Sequence, residues 1–185
     1  PVGNGAEDWH PTLLWNCGMG SGASQPHAHA QVILTYGRHP GRAELLRRAG
    51  DAHTLRYGRG YWTDVQWCHR TAGLVTDYQG AAITPNLTPC GHRELLVFGR
   101  DAETLGKGIY AAGEVLMRKF AARCWNVGAT LAPVDIHAEP HPGSTLVARV
   151  VDRTDKPDAA GGVYATAFAA FELYGPVVES VDVVE

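Results

Sequence analysis

The segment Asn16–Gln31, NCGMGSGASQPHAHAQ, joins a loop of small residues to a stretch of strict alternation, and it decides the fold of the chain. Residues 26–35 alternate between two sets of side chains: one set is mostly polar (His27, His29, Gln31 and Ile33) and the other is apolar (Ala28, Ala30, Val32 and Leu34). A period of two is typical of a β-strand, in which residues two apart share a face and lie about 6.6 Å from each other. The pattern therefore predicts a strand that carries His27, His29 and Gln31 on one face.

The loop in front of this strand is suited to bind an anion. Between Asn16 and Ser24 most residues are small, so backbone N–H groups can approach a phosphate closely, and both end residues add side-chain donors. A neutral imidazole beside such a loop can attack phosphorus while the loop stabilises the charge on the oxygens. Two histidines on a strand could also ligate a metal or lie on the surface. The loop favours a phosphate-handling site with His29 as nucleophile and Gln31 as a donor to a phosphate oxygen.

The same segment resembles the active-site segment of the histidine-triad superfamily, in the branch of the galactose-1-phosphate uridylyltransferases and dinucleoside-tetraphosphate phosphorylases. The family pattern is Asn-x-Gly, a small-residue stretch, then Gly-x-Ser and His-x-His-x-Gln, and residues 16–31 match it without a gap. The resemblance implies an α+β fold of histidine-triad type, in which one long helix packs on an antiparallel sheet.

The resemblance also implies a role for each matching residue. His29 would form a covalent nucleotidyl or phosphoryl adduct, Gln31 would hold the phosphate oxygens and His27 would orient the site. A final Gln is similar to the transferase branches, whereas hydrolase branches usually carry a third His. The implied substrate-binding residues are Asn16, Gly22, Ala23, Ser24 and Gln25.

The implied activity is nucleotidyl or phosphoryl transfer through a phosphohistidine intermediate at His29. The implied substrate is a nucleoside diphosphate sugar, a sugar 1-phosphate or a dinucleoside polyphosphate. Two alternatives stay open: an enzyme of this fold reassigned to specialised biosynthesis, with His29 as acid/base, and a nucleotide-binding module without turnover. The Ala-, Gly- and Arg-rich composition fits a high-GC bacterium, in which such reassignment occurs.

Members of the family contain two related repeats. By this comparison, residues 1–40 are the end of a first repeat with the active-site strand, and residues 41–185 are a second, degenerate repeat. In the second repeat, residues 145–153 lack the His-x-His of many relatives and are interpreted as structural. Most of the first repeat, which in relatives supplies zinc cysteines, is not in this sequence, so no metal site is assigned and zinc would need ligands from outside it. We expect a second copy, as in a homodimer, or a preceding segment to complete the pocket around His29.

Outside residues 16–34, a capping residue and the spacing of apolar residues predict further helices and strands. Asp101 can cap a long helix to about Cys124, with the apolar stripe Leu105, Ile109, Ala112, Leu116 and Phe120. An irregular lead-in is predicted over residues 1–12, a short helix over 42–49, a loop over 51–62, loops over 133–143, and strands over 13–16, 72–78, 80–84, 93–98, 145–151 and 163–174.

Other candidate residues have competing interpretations. Asp135, His137 and Glu139 alternate, as metal ligands might be spaced, or they belong to a solvated loop. The aromatic residues stack on a base or sugar, or they pack in a core or dimer interface; they are Tyr57, Tyr61, Trp62 and Trp67. The scattered histidines are expected to be surface or hydrogen-bonded structural residues; they are His10, His39, His53, His69 and His92.

Composition excludes several classes of protein. The 185 residues carry a formal net charge of −3, which argues against a general nucleic-acid binder. No apolar run reaches the roughly 18 residues needed to cross a bilayer, so no membrane span is predicted. The four cysteines form no CxxC pair, which favours reduced thiols in a cytoplasmic protein.

Overall fold

The computed structural model describes residues 9–18, 21, 29–89, 93–131, 134 and 145–153. They form one antiparallel sheet and three helices, so the predicted α+β class is confirmed. The strands are β1 (Trp9–Cys17), β2 (His29–Tyr36), β3 (Thr76–Tyr78), β4 (Ala81–Pro85), β5 (Glu94–Gly99), β6 (Trp125–Thr130) and β7 (Leu146–Asp152). The helices are α1 (Gly41–Tyr57), α2 (Tyr61–Thr71) and α3 (Ala102–Phe120). The strand order across the seven-stranded sheet is β2-β1-β6-β7-β5-β4-β3.

The long helix α3 covers one face of the sheet and forms the larger core. Asp101 caps it as predicted: its carboxylate accepts from the Thr104 backbone N–H at 2.8 Å, and the Thr104 hydroxyl accepts from the Asp101 N–H. The predicted stripe is buried from Leu105 to Leu116, whereas its last member, Phe120, is exposed because it lies at the end of the helix. The apolar side of α3 thus packs against the strands, which stabilises both.

Helices α1 and α2 form a hairpin beside the opposite face. Trp62 of α2 packs against a smaller core that contains Leu96 and Phe98 of β5. The predicted helix over 42–49 is confirmed but ends too early, and the predicted loop over 51–62 is wrong, because α1 runs to Tyr57 and α2 begins at Tyr61. The sequence 51–57 lacks an apolar stripe, and its helical form is accompanied by a tertiary contact, His53 Nε2 to the Asp64 carboxylate of α2 at 2.9 Å.

Two strands differ from the sequence prediction. The predicted irregular lead-in is wrong over residues 9–12, which belong to β1, and β6 is absent from the prediction. β6 shows no alternation because its residues are buried on both faces, and such strands lose the period of two. The predicted strand 163–174 and the segment 135–144 lie outside the described residues. Among the described helices, none is long and apolar enough to span a membrane.

Candidate functional site

The predicted nucleophile lies on β2, the edge strand of the sheet. β2 pairs antiparallel with β1, which places His29 opposite Asn16 and Gln31 opposite Leu14. Residues directly opposite in an antiparallel pair project to the same face. His29, Gln31 and Asn16 therefore share the face that lies away from α3, whereas Trp15, next to Asn16, packs into the α3 core. His27 lies outside the described residues, so its place on this face stays a prediction.

A buried amide on β6 holds Asn16 in place. Asn126 lies opposite Asn16 in the register of β1 and β6, and it is fully buried. Its Nδ2 donates to the Asn16 Oδ1 at 2.7 Å and to the backbone carbonyl of Ser21 at 2.9 Å. One side chain thus ties the start of the motif to the loop that follows it, across more than 100 positions of the sequence. Sequence reasoning missed Asn126; its only signal was a polar residue inside an apolar run.

The loop after β1 turns back at once. Gly18 has a φ of +81°, and a side chain there would collide with the backbone of Arg123 and Cys124, so the turn requires glycine. Ser21, which is fully buried, donates from both its backbone N–H and its hydroxyl to the Gly18 carbonyl. The rest of the predicted phosphate-binding set lies outside the described residues and stays a prediction: Gly22, Ala23, Ser24 and Gln25.

The candidate site is open. His29 is half-buried and Gln31 is exposed, so both are accessible to a substrate. On the other face of β2 the apolar side chains Val32, Leu34 and Tyr36 are 58%, 54% and 57% exposed. Within the described residues, β2 pairs with a strand on one side only. In natural proteins an apolar edge of this kind is normally covered. The expectation that a second copy or a preceding segment completes the site stays a prediction.

Two of the scattered histidines form a buried pair beside this face. His10 of β1 and His39, in the turn before α1, have ring centroids 4.7 Å apart and are 8% and 5% exposed. The Nδ1 atoms of both rings are buried and have no hydrogen-bond partner among the described residues. Burial, followed by the proximity of His10, lowers the pKa of His39 to about 4, so its ring is neutral at pH 7. No sequence pattern indicated that these two histidines are buried.

Strand β7, which falls in the segment interpreted as structural, is built differently from β2. It lies in the middle of the sheet and carries Arg149. The Arg149 Nε donates to the Glu94 carboxylate at 2.8 Å, and Asn86 Nδ2 donates to the same oxygen at 2.7 Å. The Glu94 side chain is 1% exposed, so this is an internal ion pair within the sheet.

The remaining candidates divide between the core and the surface. Trp62 lies edge-to-face with Phe98 in the smaller core, whereas Tyr57, Tyr61 and Trp67 are exposed. Asp135, His137 and Glu139 lie outside the described residues. In the described part of the chain, no three His, Cys, Asp or Glu side chains are arranged to hold a metal.

The described cysteines are reduced. Cys17, Cys68 and Cys124 are free thiols. Burial and the proximity of Cys124 raise the pKa of the Cys17 thiol, so this thiol stays protonated and is a poor nucleophile. Cys17, the cysteine at the end of β1, therefore does not compete with His29 as a candidate nucleophile.

In a comparison with solved structures, the fold of this chain is similar to those of a GalT-like protein, a uridylyltransferase and an ADP-glucose phosphorylase. A GalT-like protein from Arabidopsis thaliana superposes with a TM-score of 0.61 at 11% identity, a uridylyltransferase mutant with 0.62 at 12%, and an ADP-glucose phosphorylase from Arabidopsis thaliana, with bound ADP-glucose, with 0.57 at 11%. The chain is covered over 91%, 94% and 91% of its length, respectively. No protein-family model and no curated protein matches the sequence.

The chain spans 60%, 65% and 58% of the length of these three structures. The resemblance inferred from residues 16–31 is thereby confirmed at the level of the fold. At 11–12% identity, activity and substrate have to be argued from the site itself.

Proposed function

We propose that this protein is a nucleotidyl or phosphoryl transferase in which His29 forms a covalent adduct with the transferred group. The observation that carries the proposal is the shared face of β2 and β1: His29 and Gln31 project beside Asn16, whose amide is fixed by the buried Asn126. A nucleophile on an accessible strand edge, with amide groups on both sides of it, is suited to substitution at phosphorus.

The chemistry follows in two displacements. A lone pair of the neutral His29 ring forms an N–P bond while the P–O bond to the leaving group breaks, and the leaving oxygen keeps the electron pair. The acceptor oxygen then forms a new P–O bond and the imidazole leaves with its electrons. Two displacements replace one difficult transfer by two easier ones, which is the usual advantage of a covalent intermediate.

Gln31 and Asn16 act on the phosphoryl oxygens in this proposal. The Gln31 amide lies one step along the same face from His29 and donates a hydrogen bond without being able to release a proton. Because the Asn16 Oδ1 accepts from Asn126, the orientation of the Asn16 amide is fixed and its Nδ2 is turned away from Asn126. The loop residues Gly22, Ser24 and their neighbours would add backbone donors.

The proposed substrate class is a nucleoside diphosphate sugar, with a sugar 1-phosphate or a dinucleoside polyphosphate as related substrates. The names of two similar structures, a uridylyltransferase and an ADP-glucose phosphorylase, support this class. We further propose a cytoplasmic protein, in accord with its free thiols, whose pocket is completed by a second copy or by residues outside this sequence.

Detection of the covalent adduct on His29 tests the proposal. The full chain is incubated separately with UDP-glucose, ADP-glucose and diadenosine tetraphosphate, and its intact mass is measured at neutral pH. A mass increase of one nucleotidyl group, mapped to His29 by peptide analysis and lost in His29→Gln, is expected. An adduct on another residue, or binding of all three compounds without any adduct, would contradict the proposal and favour acid/base chemistry or a binding module.

Asn126 provides a second test with a matched control. Asn126→Asp keeps the shape of the side chain but removes the donor to Asn16 and Ser21, so adduct formation is expected to slow by roughly 10- to 100-fold. Asn86→Asp makes the same chemical change at a half-buried amide bonded to Glu94. It is expected to reduce stability and to leave the rate of adduct formation unchanged. Equal rates for the two variants would exclude a positioning role for Asn126.

A further inference from the structure

We draw no further inference here: the strongest candidate, the exposed apolar face of the edge strand β2 formed by Val32, Leu34 and Tyr36 together with Trp9 of β1, carries nothing because no contact of the described residues shows what covers it.

Discussion

Strands β2 and β7 each carry polar side chains on one face, but they lie at different places in the sheet. β2 is an edge strand, and its eight residues are all half-buried or exposed. β7 is the central strand, and six of its seven residues are buried. On β2 the polar face presents His29 and Gln31 to the solvent, whereas on β7 Arg149 binds the buried carboxylate of Glu94.

The difference shows why only one of the two strands is a candidate for catalysis. A nucleophile must be reached by its substrate, and an edge strand leaves one side of each polar group accessible. In the centre of a sheet a charged side chain needs a partner, because an unpaired buried charge is strongly destabilising. Changes on β2 should therefore affect activity more than stability, and changes on β7 the reverse.

The largest effect is expected for His29→Ala. Removal of a covalent catalyst typically lowers the rate by about 1,000-fold or more, whereas a half-buried edge residue contributes about 0.5 kcal/mol or less to stability. Initial rates with the adduct-forming substrate and urea unfolding measure the two quantities. Imidazole should partly restore the activity of His29→Gly. A near-normal kcat for His29→Ala would show that β2 does not carry the catalytic nucleophile.

On β7 the expected effect is on stability. Arg149→Met removes the cation beside Glu94, and loss of one partner of a buried pair costs about 3 kcal/mol. Chemical unfolding measures this loss, and the rate of adduct formation by the folded protein should not change. Arg70→Met is the matched control, because the pair of Arg70 with Asp77 is exposed and should contribute little. Equal stability of Arg149→Met and Arg70→Met would mean that the buried ion pair on β7 contributes no more to stability than an exposed one.

The stability of the protein should depend on pH through His39. This residue lies in the turn after β2 and is buried, although the strand itself is exposed. Its pKa is lowered from 6.5 to about 4 by burial first, then by His10 and Arg47, with Glu44 opposing. The unfolded chain therefore binds this proton more readily. The contribution of His39 to the free energy of unfolding is fully present above pH 6.5. It is lost as the pH falls towards 4, by at most about 3 kcal/mol.

Stability measured by urea unfolding between pH 7 and 4 tests this dependence. His39→Gln should flatten the curve over that range. Glu44→Gln removes a charge that raises the pKa of His39, so the slope between pH 6.5 and 4 should persist in this variant. The variant should instead flatten the curve below pH 4.5, because hydrogen bonds from Arg47 lower the pKa of Glu44 from 4.5 to about 2. If the stability of His39→Gln still falls between pH 6.5 and 4, another group causes the pH dependence.

The smallest effect is expected for Gln31→His. A second imidazole on the face of β2 can assist attack by water on the adduct, so the ratio of hydrolysis to transfer should rise by a few fold, on the order expected for one weak proton-transfer group. Product ratios with and without acceptor measure it. Gln79→His places the same group in the exposed turn between β3 and β4 and should leave the ratio unchanged. An unaltered ratio in Gln31→His would show that this position does not govern the outcome.

Sequence patterns were sufficient where they depend on local geometry. The alternation after His27 predicted the strand that carries His29, and the combination of Asp101 with an apolar stripe predicted α3 and its cap. They were insufficient where the structure depends on distant contacts. The second half of α1, the pairing of His10 with His39, and the anchoring of Asn16 by Asn126 all depend on residues far apart in the sequence.

The sequence by itself therefore determined the α+β class, the motif at residues 16–31 and the shared face of His29 and Gln31, because a period of two fixes the direction of side chains wherever the strand lies. Only the tertiary structure decided that β2 is an edge and β7 a centre, since alternation does not reveal which strands are neighbours. It also decided that His69 is buried, because burial depends on the helix hairpin and the sheet packing together.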